Sequence, residues 1–266
     1  MGDRNSPVGV FDSGVGGIST LGALKRELPG EHFLYYGDTR NAPYGTKSTG
    51  EVIACVRRVV ERLLRADIKA LVIACNTASG AAAATLRAEL SLPVIAMEPA
   101  LKPAEEAWQG GRILVMATPL TLRQEKFLGL MERFGAHAAP LPCPGLMELV
   151  EAEDEAGARR YLEKLLAGWD LDSVDAVVLG CTHYVFLKPM LRRMLPDRIR
   201  ITDGNAGTAR QLRRVLSERD LLRTAGPGAV RMETSGDPEV ILPVMRRLFR
   251  KALEINTTSI SGGKAN

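Results

Sequence analysis

The chain has 266 residues but only four cysteines, three histidines, two tryptophans, five tyrosines and six phenylalanines. None of its apolar runs approaches the length of a membrane span. Each scarcity removes a class of function. Cys55, Cys75, Cys143 and Cys181 contain no Cys-x-x-Cys pair, which removes a dithiol redox motif, and disulfides are not expected. Among His32, His137 and His183, only His183 stands near a cysteine. The lone Cys-x-His would need Cys75 and two distant histidines to complete a zinc site, so no metal is expected. Sparse aromatics and a net charge of only +4 argue against a nucleic-acid surface. The pairs Arg192-Arg193 and Arg246-Arg247 fall on amphipathic helical patterns and read as solvated faces. No basic segment followed by an apolar stretch opens the chain, so a cytoplasmic protein with no membrane contact is expected.

What is present is a regular alternation. Short β-branched runs at 8–11, 33–36, 71–74, 94–96, 113–116, 176–179 and 199–201 predict strands. Helical periodicity falls between them at 18–28, 51–65, 78–90, 122–134, 159–167 and 206–217. The alternation predicts an α/β fold whose mainly parallel sheets carry helices on both faces. A weak internal repeat is visible: Val10–Gly14 and Val115–Pro119 end strands about 105 residues apart, and Cys75 and Cys181 lie 106 apart. The repeat predicts two pseudo-symmetric open α/β domains with the site in the cleft between them. Residues 1–97 with 208–266 would form the first domain, its C-terminal helices returning to it, and 98–207 the second. Residues 1–6 and the tail from Thr257 are small and polar and are expected to be disordered. The sequon Asn256-Thr257-Thr258 carries no meaning without a secretory signal.

Four segments could carry chemistry, and each also has a plainer structural reading. Asp12-Ser13-Gly14-Val15-Gly16-Gly17 joins a strand to a helix whose free amides can hold an anion. Its glycine spacing fails the dinucleotide fingerprint, and Asp12 would repel a phosphate. A ligand with an ammonium and a carboxylate suits it better; an Asp cap with turn glycines is the alternative. Cys75-Asn76-Thr77-Ala78-Ser79 places a thiol at a helix N-terminus, where its pKa is expected to fall, with Asn76 and Thr77 able to bind a carboxylate. The alternative is a buried structural cysteine. In Gly180-Cys181-Thr182-His183-Tyr184, His183 stands two residues from a thiol and is placed to take or return its proton, or is a turn histidine. Tyr36–Gly45 reads as a structured loop over the same sheet edge, with Tyr44 and Gly45 facing the cleft.

Together these segments resemble the glutamate racemase family over roughly residues 7 to 250. The matching stretches run from Val8 to Gly17, Tyr36 to Thr39, Pro43 to Ser48, Cys75 to Ala78, Gly180 to Tyr184 and Thr234 to Pro238. The resemblance implies two pseudo-symmetric α/β domains, no cofactor, and interconversion of L- and D-glutamate for peptidoglycan synthesis. It implies that Cys75 and Cys181 are the catalytic acid/base pair, helped by Asp12 and His183 respectively. It implies substrate contacts at Asp12, Ser13, Tyr44, Gly45, Asn76, Thr77, Thr182 and His183, and an auxiliary role for Glu151 near the histidine. The repeat makes the halves unequal, since Asp12 corresponds to Ala117 and His183 to Thr77. Rivals are an aspartate or hydantoin racemase, a silent binding protein, a racemase with a second role on a protein partner, and a nucleotide-dependent oxidoreductase. A homodimer is left open.

Overall fold

The computed structural model of the chain describes residues 2–255. Among these residues nine strands form: β1 (Val8–Asp12), β2 (Phe33–Gly37), β3 (Ala70–Ile73), β4 (Val94–Ala96), β5 (Arg112–Ala117), β6 (Ala138–Pro142), β7 (Val174–Leu179), β8 (Arg200–Asp203) and β9 (Val230–Thr234). The α-helices among the described residues are α1 (Ile18–Glu27), α2 (Thr49–Leu64), α3 (Asn76–Glu89), α4 (Leu101–Glu106), α5 (Pro119–Arg123), α6 (Glu125–Phe134), α7 (Leu146–Glu151), α8 (Glu155–Leu166), α9 (Lys188–Met194), α10 (Asn205–Glu218) and α11 (Pro238–Ile255).

The strands form two parallel sheets, ordered β4-β3-β1-β2-β9 and β6-β5-β7-β8. Without β9, the first order becomes β2-β1-β3-β4 when reversed, which is the order of the second. In each sheet the chain builds outward on one side of its first strand, then crosses to the other. β1, β3 and β7 are buried along their whole lengths, which is why they read as unbroken apolar runs rather than alternating ones. One face of the first sheet packs on α2 and α3 through Val56, Leu63, Leu71 and Leu86. The other packs on α1, α10 and α11 through Ile18, Leu21, Leu212 and Leu248. The second sheet is covered through Leu162, Tyr184 and Leu191 on one face and Leu101 and Phe127 on the other.

Three expectations change. Residues 2–6 are ordered: Gly2 is buried, Arg4 pairs with Asp220, and the Lys69 ammonium donates to the Arg4 carbonyl at 2.7 Å. Long-range polar anchors outweigh the small polar composition of the segment. The helix read at 122–134 is two helices, broken at Gln124, whose ψ of 142° is extended. Strands β6 and β9 were not expected. β6 carries Pro140 and Pro142, tolerated because it is an edge strand, and β9 is a half-buried edge beside β2. The tail from Thr257 and the sequon at 256–258 lie outside the described residues. No helix among those described is long and apolar enough to cross a membrane.

Candidate active site

Each sheet has its topological switch beside its first strand, between β1 and β3 and between β5 and β7. Ligands of open α/β sheets sit at such points, outside the carboxyl ends of the strands. Cys75 lies two residues past the end of β3, and Cys181 two residues past the end of β7. The two thiols therefore occupy equivalent switch points of two sheets. Both are closed off from solvent, at 6% and 7% exposure.

Cys75 is the N-cap of α3, and its sulfur accepts the Ala78 amide at 3.4 Å. Its Sγ lies 3.7 Å from Ser13 Oγ. Asp12, the last residue of β1, is fully buried and turns Oδ2 back to the Gly14 amide at 3.1 Å. Its other oxygen receives Thr182 Oγ1, from the second half of the chain, at 3.4 Å. Burial raises the Asp12 carboxyl above its ordinary range, against the opposing pull of His183 and the Gly17 and Gly14 amides. The helix N-terminus does not lower the Cys75 thiol as expected from sequence. Burial first, and the Asp12 charge second, push it well up despite the Ala78 amide and the Ser13 hydroxyl.

Cys181 is followed by a 3-10 segment, Thr182–Leu187, rather than by the start of an α-helix. His183 Nδ1 stands 3.7 Å from the Cys181 sulfur, and its Nε2 stands 2.8 Å from Glu151 Oε1. Glu151 closes α7 and also receives the Val15 amide at 3.3 Å. The anion held by the 12–17 loop is thus a carboxylate from the other half of the chain. Burial on its own would lower the His183 pKa. Its hydrogen bonds to Cys181 and Glu151 outweigh this and hold it well above the usual histidine range. Burial likewise tends to raise Glu151, but its bond to His183 keeps it below the usual glutamate range. The loop glycines make this approach possible. A Cβ at Gly14 would lie 2.2 Å from Glu151 Oε1, and one at Gly16 2.2 Å from His183 Nδ1.

Thr77 joins the halves on the far side. Its hydroxyl lies 3.1 Å from Thr118 Oγ1 and 2.9 Å from Thr121 Oγ1, at the capped start of α5. Thr118 and Thr121 were missed from sequence; the repeat offset, which places Thr118 one residue beyond the Asp12 equivalent, was the available signal. Asn76 is buried, and its Oδ1 has no hydrogen-bond partner among the described residues. Tyr44 is buried in the core cluster that also holds Cys75, and its hydroxyl donates to Asp38 Oδ2 at 2.6 Å. Gly45 follows it and abuts Thr118, with a built Cβ 2.9 Å from Thr118 Cβ. The structure thus brings Asp12, Ser13, Cys75, Cys181, Thr182, His183 and Glu151 into one connected cluster, with Tyr44 in the core beside Cys75.

This arrangement can be set against known proteins. The sequence pattern of the Asp/Glu/hydantoin racemase family matches residues 19–212. A glutamate racemase of Clostridium acetobutylicum is 45% identical over 255 residues, covering 94% of this chain and 99% of that protein. Among solved structures, the glutamate racemase of Thermus thermophilus in complex with β-chloro-D-alanine is 36% identical with a TM-score of 0.79. It covers 92% of this chain and 94% of that one. The Escherichia coli glutamate racemase in complex with L-glutamate and the activator UDP-MurNAc-Ala is 31% identical, with a TM-score of 0.79 over 91% and 94%. On a match spanning most of its length, with relatives of this identity at nearly full coverage, the chain belongs to the Asp/Glu/hydantoin racemase family.

Proposed function

We propose that the protein interconverts L- and D-glutamate without a cofactor, using Cys75 and Cys181 as two bases on opposite faces of Cα. The observation that carries this reading is the pair of enclosed thiols at equivalent switch points with unequal neighbours, Asp12 for one and His183–Glu151 for the other. Its supports are the relatives' activity and the chemistry of the cluster. A Cys75 thiolate takes the α-proton of D-glutamate while the Cys181 thiol delivers its own to the opposite face. The product leaves Cys75 as thiol and Cys181 as thiolate, and exchange with water resets the pair. L-glutamate runs the same steps in reverse.

Asp12 is suited to the substrate ammonium. That positive charge would cancel part of the carboxylate field that raises Cys75, and so would help form the thiolate when substrate is present. The unpartnered Asn76 Oδ1 is a second acceptor for an N–H donor. Ser13, Thr77, Thr182 and the amides after Cys75 supply donors for a carboxylate whose charge grows as the carbanion forms. The remaining assignments go with this reading: residues 1–97 with 208–266 as one domain, 98–207 as the other, and a cytoplasmic supply of D-glutamate for peptidoglycan. Serine at Cys75 or at Cys181 should abolish racemisation, followed by circular dichroism from each enantiomer with no cofactor added. Full activity in either variant overturns the two-thiol reading.

A further inference from the structure

Gln124 breaks the helical run of 119–134 and turns its side chain across the seam between the two sheets. Its Nε2 donates to the Thr77 carbonyl at 2.9 Å. The residue is buried, and it fits only because position 80 is glycine: a Cβ there would lie 1.8 Å from Gln124 Oε1 and 2.5 Å from Cδ. The Thr77 carbonyl and the Ala78 amide belong to one peptide group. That same Ala78 amide donates to the Cys75 sulfur at 3.4 Å. Gln124, the 77–78 peptide and Cys75 therefore form a continuous chain of hydrogen bonds, with donation at one end strengthening donation at the other.

We infer that Gln124 is a positioning residue that stabilises the Cys75 thiolate across the seam by polarising the 77–78 peptide, with Gly80 as the notch that admits it. The inference rests on the two-thiol reading above. Its effect is confined to one of the two proton transfers. The barrier for transfer at Cys75 contains a partial thiolate there, whereas in the barrier for transfer at Cys181 the Cys75 thiol is already whole. Losing Gln124 raises the first barrier relative to the second.

Rates alone cannot reveal this. The enantiomers have equal free energy in water, so kcat/KM is the same in both directions for every variant. Isotope effects can. Gln124→Met keeps the length of the side chain and removes the donor. It should lower kcat/KM by about threefold, the loss of one net hydrogen bond shared with partial charge development. The primary isotope effect on kcat/KM with α-deuterated D-glutamate should rise, because Cys75 breaks that bond. The effect with α-deuterated L-glutamate should fall, because Cys181 breaks that one. Gly80→Ala displaces the same side chain and should produce the same opposed shifts, and the double variant should be no worse than either single one. A loss of rate with both isotope effects unchanged marks a merely structural role and overturns the inference while leaving the two-thiol reading intact. A wild-type protein that does not racemise glutamate overturns both.

Discussion

Glu151→Gln separates charge from shape at the point where the two halves of the chain meet. The glutamate accepts from His183 Nε2 at 2.8 Å and from the Val15 amide at 3.3 Å. The amide oxygen of glutamine can keep both bonds but carries no charge. A hydrogen bond to a charged group contributes about 1.5–3 kcal/mol against about 0.5–1.5 for a neutral one. With the Glu151 side chain 28% exposed, the difference is discounted for solvent screening to about 1 kcal/mol. The sign follows from the two shifts. His183 is raised when folded, so its contribution is complete below its unfolded value of about 6.5 and is lost as pH rises through the folded value. Glu151 is lowered when folded, so its contribution is present above about 4.3 and is lost as pH falls through the folded value. The pair therefore stabilises most between about pH 4.3 and 6.5. Following the His183 ring proton by NMR across pH should show its midpoint lower in Glu151→Gln. Urea unfolding should show the widest gap between the two proteins near pH 6, closing as the medium becomes alkaline. An unchanged His183 midpoint refutes the account of how this imidazole is held.

Two further outcomes test other parts of the structure. Lys69 is fully buried with its ammonium 2.5 Å from Glu31 Oε2, so Lys69→Met strands a buried carboxylate and should cost about 3–5 kcal/mol, read as a fall in Tm of about 10 °C. Gly16→Ala puts a methyl group against the His183 ring and should abolish racemase activity while far-UV circular dichroism stays native; retained activity would mean the ring does not need its present place.

Much of this was legible in the sequence because of one physical circumstance. Strands buried on both faces, such as Leu71–Ile73 and Val177–Leu179, must be continuous apolar runs, and the residues just past them stand at the ligand edge by topology. Both thiols and Asp12 could be placed from that alone. Edge strands obey no such rule. Val230–Thr234, interrupted by Arg231 and Glu233, and Ala138–Pro142, interrupted by two prolines, are half-exposed and carry no continuous β-branched run. The order of residues 2–6, the break at Gln124 and the clustering of Thr118 and Thr121 on Thr77 depend on partners far away in sequence, which local pattern cannot supply. The Cys75 thiol shows the same limit. A helix N-terminus is a local feature that lowers a thiol pKa, but the burial and the Asp12 charge that overrule it come from the tertiary fold.

The central claim is that two bases act from opposite faces, and hydrogen exchange at Cα tests it most directly. The reaction is started from unlabelled D-glutamate in deuterium oxide and stopped early, and both enantiomers are separated and weighed. The L-glutamate formed should carry deuterium at Cα, delivered by Cys181, while the recovered D-glutamate carries none. Deuterium appearing in the recovered substrate as fast as in the product, or product retaining the original hydrogen, would contradict it.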